Sequence, residues 1–357
     1  MILWSTSLLS SSKSILNLNQ KIGSMLMVGF YGTSAKPQSQ ICKDIKNYNL
    51  AGVILFDVNP VNKSKPKNIS SKRQLRELTK ELQECSRDGK LLIAIDQEGG
   101  RVQRLRSRYG FYGKFPKASD ISKISDNSIR AIYTKMAKEL SDVGINYNLA
   151  PVVDLAINPK NHVIYGLGRS YGKNPKTVSR YSKIFIESMH SKGILTSLKH
   201  FPGHGSSTGD THKGFVDVTA QWQSIELEPY RLLIKERLVD SIMVAHVVNR
   251  KLDSSYPATL SSKIINGKLR RDLGFDGVVI TDDLQMGAIA NIYSLKARLK
   301  LAINAGDDIL LFGNQLYRGV SVKKLVDTIG GLLKSKDIQI GSINRANRRI
   351  QNLKGEL

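Results

Sequence analysis

The stretch Lys199–His212, KHFPGHGSSTGDTH, holds three of the chain's six histidines together with a lysine and an aspartate. Those residue types support three kinds of chemistry: metal binding, proton transfer, or a polar turn. A metal-dependent hydrolase would use His200, His204, His212 and Asp210, since imidazole and carboxylate suit zinc or manganese. The spacing H-x3-H-x7-H matches no zinc pattern of the H-E-x-x-H kind, and the expectation is no metal and no cofactor. Pro202, Gly203 and Gly205 describe a sharp turn, with His204 inside it as a structural residue. Beyond it, Asp210 precedes His212 by two residues, so both can lie on one side of an extended loop. The carboxylate would then orient the imidazole and favour its protonated form, making a general acid/base pair. No serine nucleophile of the G-x-S-x-G type accompanies it.

Other polar residues stand at the ends of apolar runs. Asp96 closes LLIAID, Asp154 closes APVVD, Lys199 and His200 close ILTSLKH, His246 closes SIMVAH, and Asp282 and Asp283 close GVVITDD. Repetition of that pattern points to a lined pocket rather than to isolated solvated strand ends. A single inward carboxylate suits a covalent nucleophile attacking an anomeric carbon. Side chains alternate along a strand, so only one of Asp282 and Asp283 is expected to face the pocket, leaving the other to cap a helix, hold a neighbouring backbone or pair in a metal site.

The elements that must position these residues recur regularly. Eight apolar runs (25–30, 51–56, 91–96, 145–155, 194–200, 241–247, 277–283 and 308–313) predict strands buried on both faces, as in a parallel sheet covered by helices. Amphipathic segments such as SKRQLRELTKEL and NPKTVSRYSKIFIESMHSKG lie between them, several ending in Gly before the next run. No G-x-G-x-x-G follows the first run, so the pattern predicts a TIM-type (β/α)8 barrel, class α/β, over 18–357. The segments after residue 320 read as closing helices.

Composition excludes more than it assigns. Lys and Arg number 54 against 30 Asp and Glu, a net charge of +24. Such a charge suits acidic partners, and a non-catalytic binder of acidic polymers is one competing reading. The basic residues are spread over predicted helix faces without an aromatic-interleaved stripe, so no nucleic-acid partner is expected. No apolar run approaches the ~20 residues of a membrane span, and no membrane partner is expected. Cys42 and Cys85, far apart in sequence, read as reduced thiols of a cytoplasmic protein, a monomer. Residues 1–17 read as a frayed extension, with an export signal as the alternative.

The motifs DQEGGRVQR, LAPVVDL, GRSYGKNP, KHFPGHGSSTGDTH, IMVAHV, PATLS, LGFDGVVITDDLQMGA and INAGDDILLF, in that order from about Gln20 to Phe312, resemble the single-domain β-N-acetylhexosaminidases of glycoside hydrolase family 3. The resemblance implies a TIM-like barrel that removes terminal β-linked N-acetylglucosamine with retention of configuration. It implies a small carbohydrate or muropeptide substrate, N-acetylglucosaminyl-1,6-anhydro-N-acetylmuramyl peptides in cell-wall recycling. By motif, Asp282 matches the nucleophile, His212 the acid/base and Asp210 its partner. Asp96, Arg169, Lys199 and His200 match residues that hold sugar hydroxyls, and Arg104 and His246 are placed in the same pocket. A histidine donor on a loop from Ser206 to Lys213 would let one domain suffice, and would swing to the glycosidic oxygen when substrate binds. Val58 stands where the family often has a basic residue, and Ser206-Ser207 where some members have Asp-Thr. These departures bear on the leaving group and the loop, not on the reaction.

Overall fold

The computed structural model describes residues 16–211, 214–315 and 319–357. Eight short strands follow the predicted runs: β1 (Leu26–Val28), β2 (Gly52–Ile54), β3 (Leu92–Ile95), β4 (Tyr147–Asn148), β5 (Leu195–Phe201), β6 (Ser241–Val244), β7 (Val278–Thr281) and β8 (Leu310–Phe312). They pair in the order β7-β6-β5-β4-β3-β2-β1-β8, every pair parallel. A parallel bridge between Ile280 and Ile309 joins the two ends, with the Thr281 N–H donating to the Ile309 carbonyl at 3.0 Å. The sheet therefore curls into a nearly closed barrel.

Alternation along the strands sorts the apolar residues into two layers. Met27, Ile54, Leu92, Ala94, Tyr147, Met243, Ile280 and Leu311 fill the interior, joined by Ile350 and Leu353 of the final helix, Ile340–Gly355. Leu26, Val28, Val53, Ile93, Ile242, Val244, Val279 and Phe312 face outward onto the helices. The outer helices start on predictable caps. Asn174 caps the helix Pro175–His190 ahead of its N-terminal proline, and Ser321 caps Val322–Lys334. Gly306 ends the helix Leu295–Ala305 with φ 106°, a left-handed cap that turns the chain into β8. Among the described residues, no helix is long and apolar enough to cross a membrane. The proposed extension 1–17 lies outside the described residues except for Leu16 and Asn17, and Asn17 caps the first helix, Leu18–Gly23.

The cysteines are not reduced thiols. Cys42 and Cys85 form a disulfide with their Cα atoms 5.3 Å apart. Cys42 sits in the helix Gln40–Tyr48 and Cys85 ends the helix Lys72–Cys85. Their distance in sequence concealed the pairing, because successive strand–helix units set consecutive outer helices side by side. The bond closes a 43-residue separation. Replacing both cysteines by serine is expected to lower stability by about 2–4 kcal/mol in the chain-entropy picture. The native protein, denatured without reductant, should react with no thiol reagent until reduced; free thiols at that step would refute the pairing.

Candidate active site

The C-terminal ends of the strands open into a cavity of about 830 Å³, whose floor includes Ile54, Leu149, Met243 and Leu311 from the top of the barrel interior. Asp96, Arg104, Arg169, Lys199, His200, Asp210 and Asp282 all border it. Residues at or beyond the ends of four different strands, β3, β4, β5 and β7, thus converge, as expected of a barrel of this class. His212, the predicted acid/base, lies outside the described residues.

One wall is a chain of alternating charges. Arg104 Nη2 reaches Asp96 at 3.2 Å, and Lys199 Nζ lies 2.9 Å from Asp96 and 2.8 Å from Glu98. Glu98 in turn takes Arg169 in a two-pronged pair, both bonds 2.8 Å. Burial raises the pKa of Asp96, but Lys199 and Arg104 more than offset it and leave the carboxyl well below the usual range. Glu98 is held down at about 2, Arg169 and Lys199 overcoming its burial. Lys199 is itself raised, because Asp96 and Glu98 outweigh its desolvation. Every buried charge on this wall therefore has a partner of opposite sign, which is what keeps such groups ionised away from water. Fixed carboxylates and cations at close spacing offer acceptors and donors to vicinal hydroxyl groups.

His200 is set from behind. Its Nδ1 lies 2.7 Å from Asp154 Oδ2, and since a carboxylate only accepts, Nδ1 carries the proton. Its Nε2 faces the cavity near Arg169 Nη2 at 3.5 Å. Asp154 also accepts the backbone N–H of His204 at 2.8 Å. Burial raises its pKa, but the charge and hydrogen bond of His200 carry it below its ordinary value. Asp154 is 1 % exposed and not among the cavity-lining residues, so its place is to orient His200. His204, pushed down to about 4 by burial and the neighbouring His200, pairs its Nδ1 with Ser207 Oγ at 2.6 Å. Its turn role matches expectation, although its ring also touches the cavity.

At β7 the structure departs from the expected alternation. Asp282 and Asp283 both line the cavity, because β7 ends at Thr281 and the backbone turns before the second acid. The Asp283 N–H donates to Asp282 Oδ1 at 2.8 Å, which fixes the plane of the Asp282 carboxylate. Asp283 is raised to about 6 by burial, and its Oδ1 accepts from the Gln285 N–H at 2.9 Å. Its Oδ2 packs where a Cβ on residue 313 would come within 2.7 Å, which requires the glycine there.

His246 does not line the cavity. It is 1 % exposed, its Nδ1 pairing with Thr259 Oγ1 at 2.8 Å and its Nε2 with the Asp283 carbonyl at 2.9 Å. Past the end of β6, its ring therefore braces the backbone of Asp283, next to Asp282.

Sequence reasoning missed three residues. Glu98 binds two predicted site cations, and its only signal was an acid two positions past Asp96. Asp57, 2 % exposed, takes Arg106 at 2.6 Å and Arg108 at 3.4 Å at the cavity edge. Lys67, fully buried, donates to the carbonyls of Gly313 (2.9 Å) and Asn314 (2.7 Å) and to Gln315 Oε1 (2.7 Å). It lies over the rings of Phe56 and Tyr31, and burial lowers its pKa to about 7. No local pattern marks a lysine in a polar loop as buried; its partners come from the other end of the chain.

The comparisons with known proteins agree with this fold. The model of the glycosyl hydrolase family 3 N-terminal domain matches residues 17–353. Beta-hexosaminidase A of Pseudoalteromonas piscicida is 31% identical over 96% of this chain, which spans only 62% of that protein. The beta-hexosaminidase of Tolumonas auensis is 34% identical over 78% of this chain and 80% of its own. Among solved structures, a family 3 β-N-acetylglucosaminidase from Paenibacillus sp. FPU-7 superposes with TM-score 0.85 at 33% identity, over 96% of this chain and 63% of that one. The β-N-acetylhexosaminidase of Beutenbergia cavernae gives TM-score 0.84 at 28% identity, over 96% of this chain and 99% of its own. With the family model matching residues 17–353 and the parallel barrel shared with these solved structures, this chain belongs to glycosyl hydrolase family 3.

Proposed function

We propose that the chain is a retaining exo-β-N-acetylglucosaminidase. The observation that carries this reading is the gathering of Asp282 and Asp210 around one cavity whose wall is the paired row Arg104, Asp96, Lys199, Glu98 and Arg169. The relatives named beta-hexosaminidase support it. In this reading an Asp282 oxygen attacks the anomeric carbon as the bond to the leaving oxygen breaks. His212, oriented by Asp210, gives its proton to that oxygen. Water then loses a proton to His212 and displaces Asp282 from the glycosyl ester, so two inversions leave the configuration unchanged. Asp96, Arg104, Arg169, Lys199 and His200 hold the sugar hydroxyls.

The substrate we favour is an N-acetylglucosaminyl-1,6-anhydro-N-acetylmuramyl peptide released in cell-wall turnover, hydrolysed by a monomer without nucleic acid, membrane or cofactor. A relative named Beta-hexosaminidase LpqI from Mycobacterium tuberculosis, 32% identical over 74% of this chain, supports the hexosaminidase part of this reading. The cytoplasmic setting expected from reduced cysteines loses its ground with the Cys42–Cys85 bond, and a compartment where disulfides persist fits better.

Kinetics on aryl β-glycosides that differ only at the 2-position test the reading. The 2-acetamido sugar is expected to exceed the 2-hydroxy sugar in kcat/KM by at least about tenfold, the scale of one well-placed polar contact. Equal rates would remove the N-acetyl requirement, and no hydrolysis of either would overturn the glycosidase reading.

A further inference from the structure

A buried carboxylate outside the cavity holds the turn from which the acid/base loop departs. Glu226 is 1 % exposed, is not among the cavity-lining residues, and lies in the short helical turn Ser224–Leu227 between β5 and β6. Its Oε2 accepts two consecutive backbone N–H groups, Gly205 at 3.0 Å and Ser206 at 3.2 Å. The other oxygen takes the Gln223 N–H at 3.4 Å. No cation pairs with it among the described residues, and burial together with Asp154 pushes its pKa up to about 7. An unpaired buried carboxylate is a standing cost to the fold, so the bonds it makes to this turn have to offset that cost.

The turn is shaped around it. Gly203 has φ 116°, and a Cβ there would stand 2.6 Å from the Glu226 Cβ. Trp222 Nε1 ties down the Pro202 carbonyl at 3.1 Å. From the opposite side Asn161 donates to the carbonyls of His204 (2.8 Å) and Gly205 (3.1 Å), and Asn158 to those of Ser206 (2.9 Å) and Ser207 (3.0 Å). The peptide planes of 204–207 are thereby clamped, with N–H groups on Glu226 and carbonyls on two asparagines. Three residues beyond Ser207 comes Asp210, at the cavity edge. Thr211 follows, its carbonyl accepting the Ala288 N–H at 3.1 Å, shortly past Asp282 in the chain. The direction in which the chain leaves the clamp sets where Asp210 stands relative to Asp282.

We infer that Glu226 is a positioning residue for proton transfer: by gripping the Gly205 and Ser206 N–H groups it aims the loop that carries Asp210 and His212. The inference rests on His212 being the proton donor. Its mark is selectivity for the leaving group in kcat/KM, which reports the glycosylation step. In that step misaiming the donor harms only a departure that needs protonation, whereas the later attack of water uses the same imidazole for every substrate.

The test uses the full chain and two β-N-acetylglucosaminides, one with a nitrophenol leaving group and one with an alkyl alcohol. Glu226→Ala is expected to lower kcat/KM on the alkyl glycoside by about 10²-fold, the scale of an ångström-sized misplacement. On the nitrophenyl glycoside the loss should stay within a few-fold. Glu226→Gln, whose amide oxygen can accept the same two N–H groups, should restore the alkyl rate to near wild type. If the alanine variant does not fold, Glu226→Asp draws the acceptor back by one methylene and should show the same selective loss. Equal losses on both substrates overturn the inference, because they are what a residue serving only stability produces. So does a glutamine variant as selectively impaired as the alanine one. Wild-type protein inactive on both glycosides would instead defeat the glycosidase reading itself, and this inference with it.

Discussion

Asp282→Ala is expected to remove hydrolysis of an aryl β-N-acetylglucosaminide by on the order of 10⁴-fold or more in kcat, the scale at which enzymes lose a covalent nucleophile. That corresponds to roughly 5 kcal/mol of lost transition-state stabilisation. The expectation follows from how the carboxylate is held. Its backbone N–H is tied to the Val244 carbonyl at 3.1 Å, and one of its oxygens is fixed by the Asp283 N–H. An oriented carboxylate at the cavity surface needs no reorganisation before attack, so removing it removes chemistry, not only binding. The ion-paired wall stays intact in this variant, so KM should change much less than kcat. Steady-state kinetics beside a melting curve check this, and an unaffected rate would eliminate Asp282 as nucleophile. Asp283→Asn offers a contrast. Asp283 is occupied by the backbone donor of Gln285 and packed against Gly313, so its carboxyl is held by the backbone and not presented for attack, and the amide should retain far more activity.

The second large effect belongs to proton transfer. His212→Ala is expected to slow hydrolysis of a poor leaving group by about 10²–10⁴-fold, the usual worth of a positioned acid/base. An activated aryl glycoside, whose leaving group departs unprotonated, should lose much less in glycosylation. Asp210→Ala should move the same ratio in the same direction by a smaller factor, because it leaves the imidazole present but unoriented. A leaving-group series, plotted as log kcat/KM against leaving-group pKa, measures both because that ratio reports glycosylation. A parallel downward shift of the whole line, with no change in slope, would count against His212 as the acid.

Much of this architecture was legible without coordinates. The eight apolar runs became β1–β8 within a few residues, because strands buried on both faces must be apolar throughout and cannot hide in an amphipathic pattern. Asp96, Lys199, His200 and Asp282 were legible for a related reason: a polar residue closing such a run is out of place unless it borders a cavity. The Gly306 cap was visible because few residues other than glycine occupy a left-handed position that readily. Asp283 and His246 were misplaced for one shared reason. Strand alternation stops where the strand stops, and the turn after it, not the periodicity, decides where the next side chain points.

The sequence by itself determined the order of the strands, the rim on which the polar residues gather, and the identity of the acids and cations available for chemistry. These follow from local rules: side-chain period, capping and the cost of burying an unsatisfied polar group. Only the tertiary structure decided the pairings. Glu98 between Arg169 and Lys199, Lys67 on the Gly313–Gln315 backbone, Glu226 under the 203–206 turn and Cys42 beside Cys85 all join segments that no local pattern connects. Closing the barrel brings β8 against β1 and sets neighbouring helices side by side, and partners chosen by that closure are a property of the folded chain.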